Sequence, residues 1–137
     1  MTPLPPEFSA VYFSGAPPSG GWPRRFSVVT AYNPDGRLTE PDVNLAADLK
    51  LRGALEELEL PHFRVIGGSL DGRHQEPGWG IVLNEPATPL ELSRRFRQLA
   101  FFWVEQDRII LIDARTGVPT PLIVLWPDRW IGPDYRG

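Results

Sequence analysis

Alternation and helical spacing divide the chain into short strands and two helices. Phe26-Ser27-Val28-Val29-Thr30-Ala31-Tyr32 repeats with a period of two, so Phe26, Val28, Thr30 and Tyr32 share one face and Ser27, Val29 and Ala31 the other. Residues 8–13, aromatic and β-prone, predict an earlier strand, and the Gly-, Pro- and Ser-dense stretch 14–23 reads as a surface connection between the two. Asn33-Pro34-Asp35-Gly36 fits a type I turn, with proline second and glycine fourth. A helix is predicted over 41–58. Thr39 caps it, Pro41 suits its first turn, and Asn44, Leu51, Leu55 and Leu58 lie along one side. Asn44 thereby continues an apolar row, where an amide either satisfies buried backbone or faces a pocket.

Two apolar runs, 62–66 and 79–83, bracket a glycine-rich stretch, 67–78, that reads as a loop carrying Asp71, His74 and Glu76. Thr88-Pro89-Leu90-Glu91 predicts a second helix, with Thr88 as its cap, Glu91 three positions on, and Leu92, Phe96 and Leu99 as its buried row. Residues 101–104 and 108–113 pair as a hairpin turned by Glu105-Gln106-Asp107. The order is then ββαββαββ, with 122–125 offering one more short strand and 126–137 a Trp-bearing tail across the surface. The expected fold is α+β, a two-layer sandwich with a mostly antiparallel or mixed sheet and two helices. It forms one domain over 1–137, with its core at about 8–126 and tails at 1–7 and 127–137.

Composition narrows the function classes. At 137 residues, 42% of them hydrophobic and 23% charged, the chain can bury a core without staples. A net charge of −3 argues against nucleic acid as a partner. The absence of cysteine excludes disulfides, thiolate metal sites and thiol nucleophiles together. No basic-then-apolar leader and no apolar run of the roughly 18–20 residues a membrane span needs are found, so a cytoplasmic protein without membrane contact is expected.

His74 and Glu76 carry the candidate chemistry. An imidazole titrates near neutral pH, and a carboxylate two residues on can fix its tautomer if the segment is extended. The competing reading is a surface histidine in a turn with an accidental neighbour. Two histidines without cysteine, and no calcium-loop spacing, leave no metal site expected, and no cofactor is implied. Gly67-Gly68-Ser69 follows a strand but opens no helix and has no lysine near it, so it is no phosphate loop; nor is there a Gly-x-Ser-x-Gly nucleophile motif.

Several of these stretches, taken in order, resemble a bacterial family of small proteins, DUF3293, a domain of unknown function. They are Thr30-Ala31-Tyr32-Asn33-Pro34, Asn44 ahead of the leucines, Gly67-Gly68-Ser69 before Asp71, His74-Gln75-Glu76-Pro77-Gly78, and Phe96-Arg97-Gln98-Leu99-Ala100. The likeness spans about 8–113. It implies a single-domain bacterial cytosolic protein and brings no activity with it. It does group Thr30, Asn33, Asn44, His74, Glu76 and Gln98, polar residues that packing alone does not demand. Two accounts of the group stand: scattered capping roles, or a shared pocket for a small polar ligand. In the pocket account His74 is general base and Glu76 its orienter, in a hydrolase or transferase, while Thr30, Asn33, Asn44 and Gln98 hold the ligand. The alternative is a non-catalytic interaction module using the Arg94, Arg95 and Arg97 face or the Trp-bearing tail. Oligomeric state, monomer or dimer, does not follow from the sequence.

Overall fold

A computed structural model describes residues 2–133; residue 1 and residues 134–137, the end of the expected tail, lie outside the described residues. Among the described residues seven strands run β1 (Tyr12–Ser14), β2 (Arg25–Thr30), β3 (His62–Gly68), β4 (Gln75–Val82), β5 (Ala100–Glu105), β6 (Arg108–Asp113) and β7 (Pro119–Leu125). The helices are α1 (Pro41–Glu57), α2 (Ala87–Arg95) and the single turn α3 (Trp126–Arg129). The strands form one sheet in the order β1-β3-β4-β2-β5-β6-β7, and every neighbouring pair is antiparallel. The chain is therefore α+β, with the order ββαββαβββα rather than ββαββαββ.

The sheet is buried on both faces. On one, Val29, Trp79, Ile81, Phe101 and Trp103 pack beneath Leu51, Leu55 and Leu92 of the helices. On the other, Phe13, Phe26, Val28, Val65, Phe102 and Trp126 form a second core. The alternation of β2 divides as its sequence predicts, Phe26 and Val28 to one core and Val29 and Ala31 to the other. The second core is enclosed because the sheet curls until its ends approach. The chain beyond β7 reaches β1: Trp130 bridges to Phe13, Ile131 N–H donates to Phe13 O (2.9 Å), and Gly15 N–H to Gly132 O (3.0 Å). The result is barrel-like, not a flat two-layer arrangement. Trp126, expected in a surface tail, is wholly buried inside it, 4.6 Å from the Phe13 ring and 5.0 Å from Phe26. An indole buries more apolar area than any other side chain, which makes it an effective plug for such a curl.

Several local expectations need correction. Residues 8–13 are not one strand: Pro6–Phe8 is a 3-10 turn, and β1 begins only at Tyr12. Pro5 and Pro6 preset that turn, and prolines give no ladder donor. Half of the supposed loop 67–78 is strand, because β3 runs to Gly68 and β4 starts at Gln75, leaving 69–74 as a turn. Its glycines admit protein backbone. A Cβ on Gly68 would sit 2.0 Å from His74 O, and one on Gly78 would sit 2.6 Å from Val29 O; just beyond the stretch, one on Gly80 would sit 2.3 Å from Phe63 Cζ. Neither helix uses its expected cap. Thr39 donates to Arg37 O, and at α2 it is Glu85 that receives Ala87 N–H (2.6 Å) and the Thr88 hydroxyl (3.3 Å), since the helix starts two residues early. Leu58, last in the α1 row, is exposed.

Candidate functional site

The open end of the curled sheet is where β2 stops, β4 starts and α2 hands over to β5. Thr30 ends β2 opposite Gly78 of β4. Its hydroxyl donates to Pro77 O (2.7 Å) and accepts from Tyr32 N–H (3.0 Å), turning the chain out of the sheet. Asn33 follows in the left-handed region, φ 51°. The turn that begins there closes with Gly36 N–H on Asn33 O (3.0 Å), but Asp35 at φ 59°, ψ 18° makes it type II in shape, not type I. Tertiary contacts hold that strained residue: Asp35 N–H donates to Arg97 O (2.7 Å), and the Arg97 guanidinium pairs with the Asp35 carboxylate.

Asn44, on the first turn of α1, grips this bend. Its Oδ1 accepts Asn33 N–H (2.9 Å), and its Nδ2 donates to Asn33 Oδ1 (2.9 Å) and Thr39 O (3.2 Å). Asn33 Oδ1 also takes Thr39 N–H at 3.0 Å. Asn33 is left with its amide nitrogen facing Glu76 Oε1, at a long 3.5 Å. Glu76 lies in β4 opposite Gly67, with the parity of Gly78 and Gly80, so it shares their side of the strand. It is half-buried, and loss of solvent pushes its carboxyl above the usual range, with the Asn33 hydrogen bond opposing.

Gln98 arrives through the end of α2. Gln98 N–H reaches Ser93 O (2.8 Å) and Arg97 N–H reaches Arg94 O (3.1 Å), a Schellman ending with Arg97 at φ 58° where glycine is usual. The Gln98 amide nitrogen then donates to Tyr32 O (3.1 Å) and Phe96 O (3.2 Å). His74 closes the 69–74 turn: Ser69 N–H donates to its carbonyl (2.9 Å) and its own N–H donates to Ser69 Oγ (3.1 Å). The Ser69 hydroxyl also donates to Asp71 (2.6 Å), which holds that carboxyl below its ordinary range.

These elements surround a cavity of about 660 Å³. Thr30, Asn33, His74, Glu76 and Gln98 all contribute to its lining, while Phe13, Val28 and Phe102 supply apolar wall. Asn44 stands behind Asn33 and outside the lining. The residues therefore meet, but not in the expected roles. His74 is exposed at the rim, and among the described residues no hydrogen bond joins its ring to Glu76, whose partner is Asn33. Thr30 and Asn44 spend their polar atoms on backbone and on Asn33. Glu76 and the Gln98 carbonyl remain to meet a ligand. Among the described residues no three His, Asp or Glu side chains converge to hold a metal ion.

Other features in and beside the site carry no motif in the sequence. The segment before β1 brings Pro5, Glu7 and Phe8 to the cavity, and Leu38, 95% exposed, stands at its mouth. Beneath the helices, Arg64 makes two bonds to Asp48 (2.9 and 2.7 Å), donates to Gly78 O (3.2 Å) and lies 3.8 Å over the Trp79 ring. Asp48, 1% exposed, occupies the same helix row as Asn44, Leu51 and Leu55, so a charge in an apolar row was the available signal.

Fold and site together define a curled antiparallel α+β domain with a polar-rimmed, apolar-walled cavity at one end. The chain belongs to the family described as Protein of unknown function (DUF3293), whose model matches residues 29–101. That span is shorter than 8–113, yet it takes in Thr30, Asn33, Asn44, His74, Glu76 and Gln98. No curated protein and no solved structure matches the chain. Among the described residues no helix is long and apolar enough to cross a membrane.

Proposed function

We propose that this domain binds a small ligand in the cavity at the open end of the sheet, with Glu76 as its principal recognition group. One observation supports this above the others: a half-buried carboxylate, held by a single long hydrogen bond, faces a cavity of ligand-sized volume. A protein gains nothing in stability from that arrangement, and perturbed carboxyls in clefts mark functional sites more often than structural ones. If the bound molecule reacts, as in the hydrolase or transferase reading, Glu76 is the acid–base group and His74 at the rim assists entry or orientation. An exposed imidazole lacking a carboxylate partner is a weak base candidate.

The interaction-module reading has less support. Arg97 is paired with Asp35, Arg94 donates to Ala114 O (2.7 Å), and Arg95 lies over the Phe96 ring, so the basic face is occupied by the chain's own groups. Thermal-shift screening of a metabolite panel separates the readings. Hits should vanish in Glu76→Ala and in Ala10→Trp, which fills the mouth from an exposed position, and should survive Arg94→Ala. Hits lost only in Arg94→Ala would reverse the assignment.

A further inference from the structure

We propose that the ligand is an organic cation: a compact ammonium or amidinium head on an apolar, ring-sized body. This rests on the pocket reading above and adds the chemical class. The cavity lining holds two carboxylates, Glu7 and Glu76, and among the described residues neither lysine nor arginine. Three of the arginines nearby are committed elsewhere, Arg97 to Asp35, Arg73 to Asp71 (3.6 Å), and Arg64 to Asp48 on the helix side of the sheet, while Arg37, between the lining residues Gly36 and Leu38, does not itself line the cavity. The one lysine, Lys50, lies on α1 away from this lining. A carboxylate or phosphate ligand would meet Glu76 with no lysine or arginine in the lining to offset it, and like charges in a poorly solvated site repel strongly.

The hydrogen-bonding capacity points the same way. Thr30 has donated its proton to Pro77 O, and the Gln98 amide donates to two carbonyls. What remains is mainly accepting capacity: the Glu76 carboxylate, whose only hydrogen bond among the described residues is the 3.5 Å contact to Asn33, and the Gln98 carbonyl; the exposed His74 ring at the rim adds, in its neutral form, one donor and one acceptor. An ammonium brings three donors and no acceptor, the complement of that set. Beyond the rim, Phe8, Phe13, Val28 and Phe102 offer aromatic and aliphatic wall, suited to an apolar body and to a cation held near a ring face.

The test uses three probes sharing a phenylethyl body: 2-phenylethylamine, 2-phenylethanol and 3-phenylpropionate. Titration of the full chain by calorimetry, with amide chemical shifts read in parallel, should rank the amine first and the propionate last, with shifts centred on Thr30, Glu76 and Gly78. Glu76→Gln should cut amine affinity by about 10- to 100-fold, as expected for a charged hydrogen bond, and leave the alcohol nearly unchanged. The wild-type ranking stands as a test even if that variant folds poorly. A propionate that binds as well as the amine, or an amine indifferent to Glu76→Gln, overturns the cation assignment while leaving the pocket in place. If no probe moves those amides, the pocket reading fails along with it.

Discussion

The Asn33–Asn44 clasp joins helix to site, and Asn44 is the residue at which its worth can be measured. Its side chain is 5% exposed and takes part in three hydrogen bonds. Asn44→Ala removes all three and strands Asn33 N–H and Thr39 O in partly buried surroundings. At roughly 1–2 kcal/mol for each orphaned group the loss is about 2–4 kcal/mol, or roughly 10 °C in Tm for a domain of this size. Asn44→Asp is the sharper perturbation because it preserves shape. One oxygen still accepts Asn33 N–H, but the atom that donated to Asn33 Oδ1 at 2.9 Å becomes an acceptor facing an acceptor. Asp should therefore cost at least as much as Ala at neutral pH. Urea and thermal melts followed by circular dichroism give both values. An Asn44→Asp protein melting within about 2 °C of wild type would refute the argument, since the donated bonds would then contribute nothing.

Three further outcomes follow from the same contacts. Burial raises the Glu76 carboxyl above its ordinary 4.5, so its ionised form costs the fold; the associated stability is present in full below that value and is lost as pH rises through the raised one. Glu76→Gln should thus match wild type near pH 4 and exceed it in urea midpoint near pH 7.5, and a difference that stays constant with pH would contradict the assignment. Arg64→Met leaves Asp48 buried without its partner and should cost about 2–4 kcal/mol, less than for a fully enclosed pair because Arg64 keeps one edge in solvent. The double variant Asp48→Leu/Arg64→Met should lose less than Arg64→Met alone; equal losses would show that the unpaired charge is not the cause. Gly80→Ala places a methyl group against the Phe63 ring, costs about 1–3 kcal/mol, and should be partly rescued by Phe63→Leu, which a double-mutant cycle on denaturation midpoints will read as coupling or as simple additivity.

How much of this was legible depends on whether the deciding contact is local. The β2 alternation, α1 with its Asn44–Leu51–Leu55 row, and the β5–β6 hairpin follow from side-chain spacing within a few residues, and each is present. The glycine-rich stretch failed that reading because glycine carries no alternation signal. Gly68 and Gly80 are required by a carbonyl and a ring that the pairing of β3 with β4 brings near. Trp126 failed it likewise: its burial depends on the far edge of the sheet arriving, a long-range event without a local mark.

The two candidate acid–base residues show the same division at the level of chemistry. Positions two apart point the same way only inside a strand. Because β4 begins at Gln75, that rule governs Glu76, Gly78 and Gly80 but stops short of His74. The strand boundary, one residue past the histidine, is what separates a carboxylate turned into the cavity from an imidazole left at its rim, and it is why the site's chemistry centres on Glu76.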